Sequence, residues 1–137
     1  MRAFLDTNVL VYAFTADARA DVAEALLAQG CDISVQVLNE FAHVARRKLG
    51  MDWSQVGEAL TAIRSLCPHV HPIDLDTHVE ALDLAARANL SIYDALILAA
   101  ALRAGCECLY SEDMRHNSRV AGRLRIINPF AADPPAR

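Results

Sequence analysis

The chain has 137 residues, of which 54% are hydrophobic and 22% are charged, and its formal net charge is −4. This length fits one domain with a single core, and the composition excludes a disordered or fibrous chain. The longest apolar run, residues 95–102, is too short to cross a bilayer, which takes about 20 residues. Asp6 interrupts the amino terminus before a signal-peptide apolar region could form. We expect a cytoplasmic protein without a membrane segment, with one domain at 1–130 and a flexible tail at 131–137.

Short apolar runs and helical patterns alternate along the chain, with turn residues between them. The apolar runs predict five strands, at residues 3–5, 31–35, 70–73, 108–110 and 125–128. Capping residues and apolar spacings of three and four predict six helices, at residues 8–14, 17 or 21 to 29, 35–49, 53–66, 77–88 and 92–104. The alternation predicts a three-layer α/β/α domain with a mostly parallel five-stranded sheet.

The cysteines are scattered along the chain and form neither a CxxC pair nor a disulfide-dense pattern. We expect them to be reduced, partly buried apolar residues: Cys31, Cys67, Cys106 and Cys108. The spacing of Cys67, His69 and His71 could also suit zinc, but no second cluster of ligand residues matches it. Alternation of these three side chains on one strand face is therefore the favoured interpretation.

The first predicted strand ends on Asp6, which is followed by the polar residues Thr7 and Asn8. In open α/β sheets, ligands bind beyond the carboxyl ends of the strands, so a carboxylate here is a candidate ligand-binding group. All three residues are also favourable N-caps, and capping of the next helix is the alternative interpretation.

Glu40 lies on the helix predicted at 35–49, between the apolar positions Val37 and Val44. This position puts its carboxylate at the edge of the buried face, where a charge needs a partner. An ion pair with a neighbouring arginine and a place in a functional cluster are both open interpretations.

Two further acids lie at element ends. Asp94 is three residues after Ser91, which is capping-box spacing, and Asp113 closes the polar turn that follows the strand at 108–110. Because the amino end of a crossover helix faces the crevice above the sheet, Asp94 can cap its helix and also bind a metal ion.

This topology allows four carboxylates to converge at one edge of the sheet: Asp6, Glu40, Asp94 and Asp113. Two carboxylates about 4 Å apart repel by roughly 4 kcal/mol at an effective dielectric constant of about 20, so the cluster needs protons or a cation. Oxygen ligands favour Mg²⁺ or Mn²⁺, and we expect these acids to bind such an ion. Nearby polar residues would orient the carboxylates or waters: Thr7, Asn8 and Ser111.

Taken together, four motifs in this order resemble those of the PIN-domain nucleases. They are Phe4–Leu5–Asp6–Thr7–Asn8, the isolated Glu40, Tyr93–Asp94–Ala95–Leu96–Ile97 and Leu109–Tyr110–Ser111–Glu112–Asp113. The closing segment Ile126–Ile127–Asn128–Pro129–Phe130 is similar to the small bacterial branch that forms the VapC-type toxins of toxin–antitoxin pairs.

The resemblance implies a Mg²⁺- or Mn²⁺-dependent endoribonuclease, the toxin of a type II toxin–antitoxin pair. The implied catalytic and metal-binding quartet is Asp6, Glu40, Asp94 and Asp113, with Thr7, Asn8, Ser111 and Glu112 around the ion. Because the last acid of the family varies in placement, Glu112 is an alternative to Asp113. A homodimer, and a cognate antitoxin that blocks the site, are also implied.

Basic residues are clustered although the net charge is negative. The cluster near the carboxyl terminus consists of Arg115, Arg119 and Arg123, and we expect it to contact RNA phosphates. Arg46 and Arg47 are a second candidate group for this contact. An ordinary solvated surface is the alternative interpretation of this pattern.

Three rival functions use a similar fold. A phosphoacceptor module and a dehalogenase-like phosphatase both require a late lysine, whereas Lys48 is the only lysine in this chain. The rival that stays open is a non-catalytic module that binds nucleic acid or protein, in which the carboxylates only cap helices and form ion pairs.

Overall fold

The structure is a computed structural model, and it describes residues 2–131. Apart from Ala131, the tail predicted at 131–137 lies outside the described residues. The strands are β1 (Ala3–Leu5), β2 (Ile33–Ser34), β3 (Val70–His71), β4 (Cys108–Tyr110), β5 (Arg119–Val120) and β6 (Leu124–Ile127). The helices are α1 (Thr7–Tyr12), α2 (Ala20–Ala28), α3 (Val35–Arg47), α4 (Trp53–Leu66), α5 (Leu75–Ala88) and α6 (Ile92–Arg103).

The central sheet has four strands in the order β1-β4-β6-β5. Strands β1, β4 and β6 are parallel, and β5 runs antiparallel to β6. Strands β2 and β3 form a separate parallel pair, which a single bridge between Phe4 and Asp32 joins to β1. The predicted α/β fold with a mostly parallel sheet is confirmed.

The prediction of one five-stranded sheet was wrong in its strand count. It missed β5, whose two residues are too few to show an apolar period. The turn from β5 to β6 contains Ala121 and Gly122, both with positive φ. The first of these positions is usually asparagine, aspartate or glycine, so an alanine there does not indicate a hairpin turn in the sequence. It also joined β2 and β3 to the main sheet, whereas these two-residue strands meet it only at the bridge.

Five of the six helices begin at a side-chain cap that accepts a backbone N–H, because such caps satisfy donors left free in the first turn. The caps are Asp6, Ser34, Asp52, Asp74 and Ser91. Helix α5 begins two residues earlier than predicted, since Asp74 rather than Thr77 is its cap. The amino ends of α1 and α6 are thereby fixed close to the carboxyl ends of the strands.

Helix α6 is the centre of the core. Every residue from Ala95 to Leu102 is buried, and the four alanines in this segment allow its neighbours to approach closely. All four cysteines are buried and free. No single helix within residues 2–131 is long and apolar enough to span a membrane, and α5 and α6 reach that length only as a pair bent by 117°.

A buried aspartate connects the small strand pair to the amino terminus. Asp32 is 4% exposed and forms ion pairs with Arg2 and with Nε2 of His71, the latter at 2.7 Å. The burial of a carboxylate is unfavourable unless it is paired, and these two partners satisfy that condition. His71 and Cys67, which the zinc interpretation grouped together, are thus separately engaged, one with Asp32 and one in the core.

Candidate functional site

An acidic cleft of about 370 Å³ lies beyond the carboxyl ends of β1 and β4. The four acids predicted from the sequence all line it: Asp6, Glu40, Asp94 and Asp113. Thr7, Asn8 and Glu112 line it as well, while Ser111 is fully buried behind Asp6. The structure therefore brings together the residues that the sequence placed at separate element ends.

Asp6 is the buried centre of the cleft, with 3% of its surface exposed. Its Oδ1 accepts a hydrogen bond from the backbone N–H of Thr7 at 2.7 Å. Its Oδ2 accepts from Oγ of Ser111 at 2.6 Å and from Nδ2 of Asn8 at 3.2 Å. Asp6 therefore caps α1, as the alternative interpretation proposed, while it also faces the cleft.

The ionisation of Asp6 is strongly perturbed. Burial is the largest cause and raises its pKa from 3.8 to about 7, against the hydrogen bonds from Ser111 and Thr7, which lower it. The negative charges of Asp94 and Glu40 raise the pKa further. Near neutral pH the side chain is thus divided between its protonated and charged forms, and a positive ion beside it would favour the charged form.

Glu40 is held by two neutral donors. Thr7 Oγ1 donates a hydrogen bond to Oε1 at 3.0 Å, and Gln36 Nε2 donates to Oε2 at 2.8 Å. Among residues 2–131, Glu40 forms no ion pair, so the interpretation of an arginine partner is not met in this part of the chain. The two hydrogen bonds fix the orientation of the Glu40 carboxylate, which has no basic partner among the described residues.

Asp94 and Asp113 complete the acidic lining of the cleft. The backbone N–H of Asp94 donates to Oγ of Ser91 at 3.1 Å, which places Asp94 in the first turn of α6. Burial raises the pKa of Asp94, and the charges of Glu40 and Asp113 raise it further. Asp113 is exposed, and its Oδ2 accepts from Nδ2 of Asn8 at 3.1 Å. The Asn8 amide thus contacts the carboxylates of two acids.

Glu112 lines the cleft, but its carboxylate is engaged elsewhere. It accepts a hydrogen bond from the hydroxyl of Tyr12 at 2.6 Å and pairs with Nε of Arg19 at 2.9 Å. The hydrogen bond to Glu112 is the main reason why the pKa of Tyr12 rises to about 12. The adjacent acids Glu112 and Asp113 therefore differ, because only Asp113 lacks a basic partner in the described part of the chain.

The residues of the cleft fit a hydrated divalent cation. No three His, Cys, Asp or Glu side chains within residues 2–131 lie close enough to hold one ion between them. Mg²⁺, however, normally takes only one or two carboxylates and keeps several of its waters. Hard oxygens are the main donors of the cleft, and of its five carboxylates only that of Glu112 has an ion-pair partner in the described chain. This donor set favours Mg²⁺ or Mn²⁺ over softer ions.

Sequence reasoning missed two residues that act at the cleft. Gln36 precedes Glu40 by four residues, which is the spacing of side-chain pairs on one helix face, so this signal was available. Lys48 follows Glu40 by eight residues and is the one basic residue from the described part of the chain that lines the cleft. The same helical spacing places Lys48 on that face, although the sequence suggested only a surface cluster.

In the described chain, the arginines near the carboxyl terminus are absent from the lining of the cleft. Arg119 pairs with Arg125 near the amino end of β6, and Arg123 donates to the carbonyl of Leu102 in the last turn of α6 at 3.2 Å. Asp94 lies eight residues before Leu102, or about 12 Å along the helix. Their contact with RNA stays a prediction, and it requires a strand that extends well beyond the acids.

The fold and the site together define an α/β domain with an acidic cleft at the carboxyl ends of its parallel strands. The PIN domain family model matches residues 3–122 of the chain. The chain belongs to the PIN domain family, as the sequence motifs had indicated. No curated protein matches it.

Solved structures of toxins are similar to this chain. Mycobacterium tuberculosis VapC20, described as a sarcin–ricin loop cleaving toxin, is 25% identical with a TM-score of 0.68, over 81% of this chain and 89% of that chain. A toxin–antitoxin complex from Klebsiella pneumoniae is 22% identical with a TM-score of 0.72, over 95% and 99%. VapBC2 from Rickettsia felis, bound to a DNA fragment from its promoter, is 19% identical with a TM-score of 0.68, over 92% and 98%. The latter two support the fold alone.

Proposed function

We propose that the protein is a Mg²⁺- or Mn²⁺-dependent endoribonuclease and the toxin of a type II toxin–antitoxin pair. The observation that carries this proposal is the acidic cleft, in which Glu40, Asp94 and Asp113, none with an ion-pair partner in residues 2–131, line the same cleft as Asp6, whose pKa burial raises to about 7. Such a cluster is unfavourable for stability alone and suits the binding of a cation. Membership of the PIN family, and the likeness to a loop-cleaving toxin, support the same reaction class.

The proposed roles follow from the contacts of each side chain. Four acids would hold the ion: Asp6, Glu40, Asp94 and Asp113. Thr7 and Gln36 orient Glu40, while Ser111 and Asn8 hold Asp6. When bound, the ion lowers the pKa of a coordinated water and neutralises charge that develops on the phosphate.

Lys48 supplies the positive charge that draws an RNA phosphate toward an otherwise acidic cleft. It lies at the carboxyl end of α3, beyond Glu40 on the same side of the helix, and it lines the cleft opposite the acids of the sheet. The Lys48 ammonium would offset part of the negative charge of a phosphate that enters the cleft. The backbone of the substrate is thereby positioned for hydrolysis.

Removal of divalent metal tests the proposal directly. We expect the purified protein to cleave single-stranded RNA in Mg²⁺ or Mn²⁺, to lose that activity in a chelator, and to regain it when the ion is added back. Cleavage is followed by gel electrophoresis of end-labelled RNA. Cleavage that persists unchanged in the chelator would contradict the metal-dependent reaction, and RNA binding without any cleavage would favour the non-catalytic module.

We also propose a homodimer and a cognate antitoxin that covers the site. An apolar stripe on the outer face of α5 supports an interface, because Leu75, Val79 and Leu82 recur at helical spacing and are 74%, 56% and 50% exposed. Two of the similar structures are described as a toxin–antitoxin complex and as VapBC2. A small DNA-binding protein encoded by the adjacent gene would support the antitoxin.

The dimer is tested by a charge placed in the stripe. We expect light scattering after gel filtration to give twice the mass of one chain, and Val79→Asp to shift the protein to the monomer, since a carboxylate buried at an apolar interface lacks a partner. Val22→Asp on α2, where the valine is also exposed, is the matched control and should stay dimeric. A monomeric wild type, or a dimer unaffected by Val79→Asp, would refute this interface.

A further inference from the structure

A second groove, of about 560 Å³, opens beside the acidic cleft. One wall is a single face of α3, on which Gln36, Asn39 and His43 point toward the groove, and the other wall is Tyr93 at the start of α6. Glu40 and Val44 line both the groove and the cleft, so the two are continuous. A molecule bound at the acids can therefore extend directly into the groove.

Tyr93 presents an aromatic ring to solvent at this position. It is 62% exposed, although the eight residues Ala95–Leu102 that follow on α6 are all buried. Within residues 2–131, the ring makes no aromatic pair and no cation–π contact, whereas the ring of Tyr12 packs against Phe130 and under Arg19. A single exposed tyrosine is ordinary on a protein surface, but this one adjoins Asp94 and forms the edge of a groove.

The rest of the groove is polar without being basic. Asn39 and His43 form no side-chain hydrogen bond to another residue of the described chain, so their donors and acceptors are available. Among residues 2–131, the lining has one carboxylate, that of Glu40, and contains no lysine or arginine. These groups suit a flat, neutral molecule with polar edges, whereas a phosphate would meet the cation Lys48 in the neighbouring cleft.

We propose that this groove binds one unpaired nucleobase of the RNA, next to the phosphate that lies at the acids. The base stacks on Tyr93, and its edge forms hydrogen bonds with Asn39 and His43. The inference rests on the proposed nuclease function and adds a requirement to it, because a base that enters the groove must be unstacked from its neighbours. The substrate is therefore single-stranded or looped RNA rather than a continuous duplex.

Binding without cleavage tests the stacking. Asp6→Asn protein in Mg²⁺ is titrated with short single-stranded oligoadenylate that carries one fluorescent 2-aminopurine, and the position of this base is varied along the strand. We expect quenching at one position and an increase in Kd of roughly 5- to 150-fold when Tyr93→Ala is added. Tyr93→Phe keeps the ring and should bind as before. Leu66→Ala is the control, since Leu66 is 47% exposed but lines neither the groove nor the cleft.

An abasic nucleotide then locates the base that stacks. We expect one position at which loss of the base weakens binding to the parent protein as strongly as Tyr93→Ala does, with no further loss when both changes are combined. Equal Kd values for the parent and Tyr93→Ala would refute the groove while leaving cleavage by the wild type intact. Loss of dimerisation in Tyr93→Ala with unchanged RNA binding would assign the groove to a protein contact instead. Failure of the wild type to bind or cleave any RNA would refute both proposals.

Discussion

Asp6→Asn is expected to reduce metal-dependent RNA cleavage by more than about 100-fold, because loss of groups that only support a metal ligand already costs up to that factor. The substitution keeps the side-chain shape and the cap, since asparagine is as favourable an N-cap as aspartate. It removes the buried negative charge that faces the other three acids. The rate of cleavage under single-turnover conditions is the measurement.

Asp52→Asn provides the matched control for this result. Asp52 caps α4 through the N–H of Gln55, as Asp6 caps α1 through that of Thr7, but it lies outside the cleft. Its replacement should leave the cleavage rate within about twofold of the wild type, as expected for a surface change that keeps the cap. An Asp6→Asn protein that cleaves as fast as Asp52→Asn would remove Asp6 from the catalytic machinery.

The metal-free protein is expected to lose stability as the pH rises from about 4 to about 7. In this window the unfolded chain releases the proton of Asp6 at its ordinary pKa of 3.8, while the folded protein retains it up to about 7. The stability that Asp6 contributes is therefore fully present below its ordinary pKa and is lost as the pH rises through the raised one. The difference between 3.8 and about 7 corresponds to a loss of up to about 4 kcal/mol, and the raised pKa of Asp94 acts in the same direction.

Urea unfolding in a chelator, at about pH 5 and about pH 8, measures this dependence. Mg²⁺ should restore stability mainly at the higher pH, because it binds the charged form of the folded protein. Asp6→Asn should flatten the pH dependence and reduce the response to Mg²⁺, since the titrating group is gone. Equal free energies of unfolding at the two pH values in the wild type would contradict the raised pKa.

Much of the cleft could be predicted because three of its four predicted acids lie at element boundaries and Glu40 lies at the edge of the buried face of α3. An aspartate directly after a strand, or in the first turn of a helix, has its position fixed by local structure, and a parallel sheet gathers such ends at one edge. At Asp6 the two interpretations that competed in the sequence are both satisfied, since the same carboxylate caps α1 and lines the cleft. Strand ends and helix caps were sufficient to predict a site residue wherever they fixed both its position and the direction of its side chain.

The features that sequence reasoning missed depend on contacts between distant segments. The pairing of Glu112 with Arg19 depends on how the loop after α1 packs over the turn after β4, which no local pattern encodes. The position of the arginines near the carboxyl terminus depends on the β5–β6 hairpin, whose turn uses an alanine with positive φ. Two-residue strands carry no readable period, and their pairing is decided by the surrounding core.

The hydrogen bonds at the cleft cross between segments instead of staying within them. Thr7, beside Asp6, holds Glu40; Ser111, two residues before Asp113, holds Asp6. Asn8 holds acids from both turns. Grafting the first motif alone onto another α/β scaffold would thus transfer an aspartate without its supports. The turn after β1 and the turn after β4 would have to be transferred together, because their side chains hydrogen-bond to each other. A substitution in one turn therefore limits which residues the other turn can accept.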